Sequence, residues 1–201
     1  WQGDFDAASG TVSGDLVIEG SDVPLFVWEE AIALGNTLNQ LGVRRVTGDL
    51  VIAGPFNMNF ETSTRKSGAL LKQAFNASEW NYEVEVAHQN LSPGTPLPQI
   101  AIAGSVKTDP NSRKNQVSGW LVRHDSLPLV AILKAMNIYS NNPMAEQVSK
   151  TVGGPTIVID KVEAAIGITP GEVKLIYGSV LCVENQISPR AAVLMLQKIQ
   201  V

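Results

Sequence analysis

The chain has 201 residues and a mass of 21.5 kDa, enough for one large domain or two small ones. Its hydrophobic fraction of 44% predicts a packed core and argues against intrinsic disorder. Nineteen acidic and fifteen basic side chains give a net charge of −4, the opposite of what a nucleic acid partner requires. The longest mainly apolar run, residues 127–138, contains Lys134 and is too short to span a bilayer. The sequence therefore predicts neither a nucleic acid partner nor a transmembrane segment.

Residues that bind metals or cofactors are scarce. The one cysteine, Cys182, cannot form an internal disulfide, and one thiol with two scattered histidines is too few for a zinc site. The chain contains no glycine-rich phosphate loop. We therefore predict no metal and no cofactor. The chain begins at Trp1 with neither a methionine nor a signal-peptide pattern, so we expect it to be a piece of a longer protein.

A near-repeat occupies the first sixty residues. The segment VSGDLVIEG at residues 12–20 returns as VTGDLVIAG at residues 46–54, an offset of 34 residues. Each copy places a Gly-Asp turn before a β-branched run, which predicts a strand. Between the copies, apolar residues recur at helical spacing from Trp28 to Leu41. The pattern predicts a strand, a helix and a second, parallel strand. Two copies do not predict a solenoid.

The remaining elements follow from periodicity and from turn residues. Residues 67–75 are predicted helical, residues 80–87, 100–106 and 117–122 are predicted strands, and residues 107–116 are a predicted exposed loop. Further helices are predicted at 127–137, 143–150 and 191–199, the last with Ser188 as N-cap and Pro189 at its first position. Residues 156–168 fit a strand or a helix, with helix favoured. The change in composition predicts a strand-rich region at 1–115 and a mainly helical region at 116–201.

The most informative segment is SLPLVAILKAMNIYSNNPMAE at residues 126–146. It predicts a helix, a short polar turn with Ser140 and Asn142, and a second helix. Two packed helices would hold this hydroxyl and this carboxamide in fixed positions, as a proton shuttle and an amide clamp require. The alternative is that Ser140 only caps the second helix and the asparagines only form the turn.

The whole run resembles the low-molecular-mass penicillin-binding proteins of the D-alanyl-D-alanine carboxypeptidase and endopeptidase family. In that family a Ser-x-Asn motif follows a helix ending in Met-Asn and precedes an Ala-Glu helix. The paired GDLVI segments, with SDVPL at residues 21–25, are similar to the region after the family's catalytic serine. YGSVL at residues 177–181, Asn185 and Ile187-Ser188-Pro189 are similar to the family's Asp-Gly-Ser-Gly-Leu segment and the positions that follow it.

The resemblance implies a mixed α and β fold, part of a penicillin-recognising domain with a strand-rich inserted accessory region. The signature set of these enzymes is Ser-x-x-Lys, Ser-x-Asn and Lys-Thr-Gly. By resemblance, Ser140 would belong to the proton relay to the leaving D-alanine, and Asn142 would hold the substrate amide. The family's Ser-x-x-Lys lies upstream of the repeated strands, so we expect the nucleophile to be missing from this chain. Ser63-Thr64-Arg65-Lys66 has the pattern but lies after the second repeat, and no Lys-Thr-Gly is present.

We therefore expect a fragment of a periplasmic or cell-envelope serine D-Ala-D-Ala carboxypeptidase, possibly an endopeptidase, that is inactive alone. Its expected partners are peptidoglycan stem peptides, with β-lactams as inhibitors of the full-length protein. The alternative is a non-catalytic cell-wall binding or scaffolding relative that kept the fold. Loss of the central strands of such a domain would expose apolar helix faces, so partner contacts or a homodimer are also expected.

Overall fold

The computed structural model describes residues 1–21, 23–109, 122–179 and 183–199. The chain divides into two compact units, Trp1–Leu127 and Pro128–Val201, called here the first and second unit. The boundary predicted at 115 and most of the strand predicted at 117–122 lie outside the described residues, so the limits 1–115 and 116–201 remain predictions. Among the described helices, none is long and apolar enough to cross a membrane.

The first unit contains six strands and three α-helices in its described part. They are β1 (Gln2–Asp6), β2 (Thr11–Glu19), α1 (Trp28–Gln40), β3 (Arg45–Val46), β4 (Leu50–Ala53), α2 (Thr64–Ala74), α3 (Tyr82–Gln89), β5 (Ala101–Ile102) and β6 (Val106–Thr108), with a 3₁₀ turn at Ala77–Glu79. The predicted helix at 67–75 is confirmed as α2, which begins three residues earlier because Ser63 caps it.

The sequence repeat is a parallel strand pair. Leu16 pairs with Leu50 and Ile18 with Ile52, so the register of β2 against β4 equals the offset between the two copies. Helix α1 makes the crossover between the copies, as predicted. Strand β1 pairs antiparallel along β2, with Gln2 opposite Asp15.

A third segment, strands β5 and β6, adds to the two repeat copies in the same parallel arrangement, and each copy is called here a rung of the sheet. Val46 pairs with Ile102 and Leu50 with Val106, both in parallel, at positions where the sequence predicts one continuous strand and then a loop. The strand predicted at 100–106 is therefore two short strands with a break at Gly104, and the predicted loop begins as strand β6.

The break between the short strands has the same geometry in each rung. The Asp15 carboxylate accepts a hydrogen bond from the Asp49 N–H at 2.7 Å, and the Asp49 carboxylate accepts one from the Ser105 N–H at 2.7 Å. A Cβ atom at Gly48 would lie 2.6 Å from the Gly14 carbonyl oxygen, so only glycine fits there. Side-chain carboxylates thus replace the missing backbone acceptors of the ladder.

The strand predicted at 80–87 is wrong, because this segment is helix α3. Tyr82, Val84 and Val86 do alternate, but the buried residues are Val84 and Ala87, which are three positions apart and therefore on one face of a helix. The Asn81 side chain accepts a hydrogen bond from the Val84 N–H at 3.2 Å and begins the helix.

The second unit is mainly helical in its described part. It consists of α4 (Leu129–Ile138), α5 (Asn142–Thr151), α6 (Pro155–Ile166), β7 (Val173–Lys174), β8 (Gln186–Ile187) and α7 (Pro189–Ile199). The four helices predicted here are confirmed, including α6, where strand and helix were both open. Ser188 caps α7 as predicted, because its hydroxyl oxygen accepts a hydrogen bond from the Ala191 N–H at 3.0 Å. Strands β7 and β8 pair antiparallel.

Candidate functional site

The turn between α4 and α5 holds Ser140 in a left-handed conformation. Its φ angle is +49°, which a non-glycine residue adopts at a cost of about 1–3 kcal/mol. The Asn141 N–H closes the end of α4 through a 2.9 Å hydrogen bond to the Met136 carbonyl oxygen. Ser140 is therefore fixed between the end of α4 and the start of α5.

Asn141, and not Ser140, caps the second helix of the turn. Its side-chain oxygen accepts a hydrogen bond from the Met144 N–H at 3.0 Å, and Pro143 lies in the first turn of α5. Within the described residues, the side chains of Ser140 and Asn142 have no hydrogen-bond partner. Ser140 is exposed and Asn142 is half-buried. Ser140 is thus free of the capping role that was its alternative explanation, and Asn141 has that role instead.

The buried face of α5 fixes the turn to the second unit. Met144, Gln147 and Ser149 are buried, and Met144 retains only 2% of its exposure. Ser149 has a buried hydroxyl with no hydrogen-bond partner in the described structure. Asn142 begins the same helix, so the packing of these side chains also sets the direction in which the first turn of α5 points.

Glu146, one turn after Asn142, binds a loop. Its carboxylate accepts hydrogen bonds from the Gly178 N–H at 3.1 Å and the Ser179 N–H at 2.9 Å. Burial of this carboxylate acts to raise its pKa, but hydrogen bonds from the Ser179 hydroxyl and from both N–H groups outweigh burial. The pKa of Glu146 is therefore lowered from its ordinary value, and the charged form holds the loop at neutral pH.

Asn185 holds the same loop from its other side. Its carboxamide oxygen accepts from the Ile176 N–H at 2.7 Å, and its amide nitrogen donates to the Tyr177 and Ser179 carbonyl oxygens at 3.0 and 2.6 Å. Sequence reasoning quoted Glu146 and Asn185 only as points of resemblance and missed what they do. The sequence carries no local signal for the Glu146 contacts, because Gly178 and Ser179 lie more than thirty residues further along the chain.

The Ser-x-x-Lys pattern at Ser63 is a helix cap. The Ser63 hydroxyl oxygen lies 3.5 Å from the Lys66 N–H, at the start of α2. The Lys66 ammonium is exposed and lies 3.6 Å from the Glu61 carboxylate. The lysine is thus engaged away from the serine hydroxyl that it would have to activate as a base.

His124 does not form a triad with Asp125 and Ser126. Its Nε2 atom lies 2.5 Å from the Glu30 carboxylate, and its ring packs edge-on against Phe26. Asp125 instead pairs with Arg123 at 2.7 Å. The His124 side chain is therefore half-buried, in a segment without regular secondary structure. Glu30, Phe26 and His124 line a mostly apolar cavity of about 440 Å³ within the first unit.

Among the residues that the structure describes, no group of His, Cys, Asp and Glu side chains is arranged to hold a metal ion. Cys182 lies outside the described residues. The candidate site consists of the Ser140 hydroxyl and the Asn142 carboxamide, and the loop at residues 176–179 is held on the same helix by Glu146.

The family of the chain follows from sequence comparison. The model of the D-Ala-D-Ala carboxypeptidase 3 (S13) family matches residues 87–201, which include the Ser140 turn and the loop held by Glu146. The chain belongs to this family, and the family resemblance predicted from the sequence is confirmed. Comparison with curated proteins found no match.

Solved structures of two kinds resemble the chain. The Bd3459 predatory endopeptidase of Bdellovibrio bacteriovorus matches with a TM-score of 0.66 and 17% identity, over 92% of this chain and 51% of that one. The penicillin G-acylated form of that endopeptidase, in complex with an immunity protein, matches with a TM-score of 0.65 and 18% identity, over 92% and 52% of the two chains. Penicillin-binding protein 4 of Haemophilus influenzae matches with a TM-score of 0.61 and 15% identity, over 98% and 63%.

These likenesses confirm the predicted fold class, a mixed α and β arrangement that belongs to a penicillin-recognising fold. The chain spans about half the length of the first of these structures, at 51%.

Proposed function

We propose that this chain is part of a cell-envelope serine peptidase that cleaves the D-Ala-D-Ala end of peptidoglycan stem peptides, as a carboxypeptidase or an endopeptidase. The observation that carries the proposal is the Ser140–Asn142 turn. Asn141 does the capping, so the Ser140 hydroxyl and the Asn142 carboxamide are left available in a segment that the family model matches. The acylated endopeptidase among the similar structures supports an acyl-enzyme route.

In the proposed reaction a serine hydroxyl attacks the carbonyl carbon of the penultimate D-alanine and forms an ester with it. The peptide C–N bond breaks, and the terminal D-alanine leaves with a proton on its nitrogen. Ser140 passes that proton on, and Asn142 holds the substrate amide. Water then hydrolyses the ester. Within the described residues no Ser-x-x-Lys is assembled for attack, since Lys66 pairs with Glu61, so we propose that the 201-residue chain alone does not acylate.

Fluorescent penicillin tests this proposal on the protein expressed from its complete gene. We expect the wild type to form a covalent adduct, and Ser140→Ala to lower the acylation rate by about 10²–10⁴-fold, the usual effect of losing a proton-transfer group. Asn142→Ala should raise the concentration needed for half-maximal labelling. Ser92→Ala, an exposed serine of the first unit, is the matched control and should label like the wild type.

If the wild type is not labelled, the proposal that the protein is a serine peptidase is wrong. If the unlabelled protein still sediments with purified peptidoglycan, the alternative function, a non-catalytic cell-wall binding protein, is supported instead. If Ser140→Ala labels as fast as Ser92→Ala, Ser140 is not in the proton relay.

A further inference from the structure

A second concave surface of the first unit lies at the carboxyl end of α1. It is an open cleft of about 480 Å³, formed by the end of this helix, by Arg44 and by the segment 96–99, and it is called here the amide cleft. Its described lining consists mainly of carboxamides, with one cation and two apolar residues: Asn36, Asn39, Gln40, Gln99, Arg44, Pro96 and Leu97. The amide cleft lies within the first unit and shares no residue with the candidate site.

Two asparagines of α1 hold the segment 96–99 against the helix. The Asn36 amide nitrogen donates to the Pro96 carbonyl oxygen at 2.8 Å, and the Asn39 side-chain oxygen accepts from the Gln99 N–H at 2.7 Å. The two prolines of the segment restrict its φ angles further. The walls of the amide cleft are therefore held in place before a ligand binds, which lowers the entropy lost on binding.

Several polar groups of the amide cleft have no partner within the described residues. The side chains of Gln40, Arg44 and Gln99 are exposed and make no hydrogen bond or ion pair there. The stem of Arg44 is nevertheless packed, since a Cβ atom at Gly10 would lie 2.8 Å from its Cγ atom. Asn36 is only 8% exposed, and its carboxamide oxygen is buried without a hydrogen-bond partner. Because buried polar atoms are nearly always paired, this oxygen is an acceptor that a ligand hydroxyl would satisfy.

These groups select a hydrogen-bonding ligand with few charges. A carboxamide both donates and accepts, which matches the hydroxyl and N-acetyl groups of an amino sugar. The Arg44 guanidinium suits a carboxylate, which it binds through two parallel hydrogen bonds. Leu97, at 50% exposure, offers an apolar surface to the apolar face of a sugar ring. A single cation in the described lining argues against a nucleic acid, whose phosphates require several.

We propose that the amide cleft binds a glycan strand of peptidoglycan in which N-acetylmuramic acid carries a free carboxylate, that is, a stretch of the strand without stem peptides. Arg44 pairs with the carboxylate. Gln40, Gln99 and the Asn36 oxygen bind the hydroxyl and N-acetyl groups, and Asn39 is a positioning residue. This inference rests on the proposed function, because peptidoglycan is the polymer that supplies such a glycan.

Isothermal titration calorimetry with two saccharides tests the amide cleft in the protein from the complete gene, after penicillin G has blocked its catalytic serine. One probe is a tetrasaccharide of alternating N-acetylglucosamine and N-acetylmuramic acid. The other is chitotetraose, which has the same N-acetyl groups and no carboxylate. We expect the first to bind about tenfold more tightly, the usual effect of a charge-assisted contact. Arg44→Ala should abolish this difference and leave chitotetraose binding unchanged, whereas Gln40→Ala should weaken the binding of both.

Arg65→Ala is the matched control, because Arg65 is an exposed arginine of α2 in the same unit and does not line the amide cleft. It should bind both saccharides like the wild type. If the wild type binds neither saccharide, or if Arg44→Ala behaves like Arg65→Ala, the glycan site is wrong, while labelling by penicillin still supports the proposed function. If the wild type is not labelled but binds the tetrasaccharide through Arg44, the peptidase is wrong and the glycan site stands.

Discussion

The two units differ in how completely each buries its own apolar surface. In the first unit, the ladder of β2, β3, β4, β5 and β6 and the helices α1, α2 and α3 enclose one continuous core. In the second unit, the buried cluster consists of Ile168, Val173 and Ala191. Helices α4 and α7 expose large apolar side chains there, among them Val130, Leu196 and Ile199 at 75%, 65% and 75%.

This difference has a physical cause. The parallel strands of the first unit cover one side of its helices, whereas the only described strands of the second unit, β7 and β8, have two residues each. Helices need a partner surface for their apolar face, and a two-residue strand pair is too small to supply it. The predicted exposure of apolar helix faces is confirmed, while the homodimer predicted from it stays a prediction. The candidate site lies in the unit with the less complete core.

One apolar-to-alanine substitution in each unit gives the largest expected difference between the two units. Phe75→Ala removes a fully buried ring of the first unit, and we expect it to lower the free energy of unfolding by about 3–5 kcal/mol. Leu196→Ala on α7 should change it by less than about 0.5 kcal/mol, because that side chain is already 65% exposed. Chemical denaturation of the 201-residue chain measures both changes.

Tryptophan fluorescence assigns the transition to a unit, since Trp1, Trp28, Trp80 and Trp120 all precede Pro128. Far-UV circular dichroism follows both units. The Phe75→Ala effect should appear in the fluorescence transition. A loss of more than about 2 kcal/mol in Leu196→Ala would show that α7 is covered in solution and would contradict the contrast.

The two asparagine caps provide a matched pair of smaller effects. Asn81 caps α3 in the first unit and Asn141 caps α5 in the second, each through one side-chain hydrogen bond to a backbone N–H. Replacement of either asparagine by alanine should cost about 1 kcal/mol. In Asn81→Ala the fluorescence transition should shift. In Asn141→Ala only the circular dichroism transition should shift, and equal fluorescence shifts in both variants would mean that the units unfold together.

The sequence predicted the fold best where a local repeat fixed the register. The copies at Leu16 and Leu50 pair at their sequence offset, but the third rung at Val106 was missed because Gly104-Ser105-Val106 keeps the turn while losing the aspartate and the leucine. Helix α3 was missed because Tyr82, Val84 and Val86 alternate by chance, and the tertiary contacts of Val84 and Ala87 decide the structure.

The candidate site was predictable only in part. Ser140 and Asn142 were identified from the turn between two helices and from the family pattern, and their roles remain proposals. The capping role of Asn141 could not be separated from that of Ser140, because both residue types cap helices. The contact of Glu146 with Gly178 and Ser179 spans more than thirty residues, and no local pattern encodes a long-range hydrogen bond of that kind.

The smallest expected effect is a dependence of the second unit on acid pH. The pKa of Glu146 is lowered because its hydrogen bonds with Ser179 and Gly178 outweigh the opposing effect of burial. A carboxylate with a lowered pKa in the folded state stabilises that state above the pKa of the unfolded chain, near 4.5. This stability is lost as the pH falls through the folded-state pKa. The effect should be smaller than that of a cap, since solvent screens a partly exposed carboxylate.

Thermal unfolding of the 201-residue chain at neutral pH and at successive values below 4.5 measures this loss through circular dichroism. Glu146→Gln should be less stable than the wild type at neutral pH, and the difference should shrink as the pH falls, because the wild-type carboxylate becomes protonated. Glu163→Gln is the control, because within the described residues the Glu163 carboxylate accepts one backbone N–H, from Gly171, and it should run parallel to the wild type. If the Glu146→Gln difference stays constant into acid, the charge of Glu146 does not hold the loop.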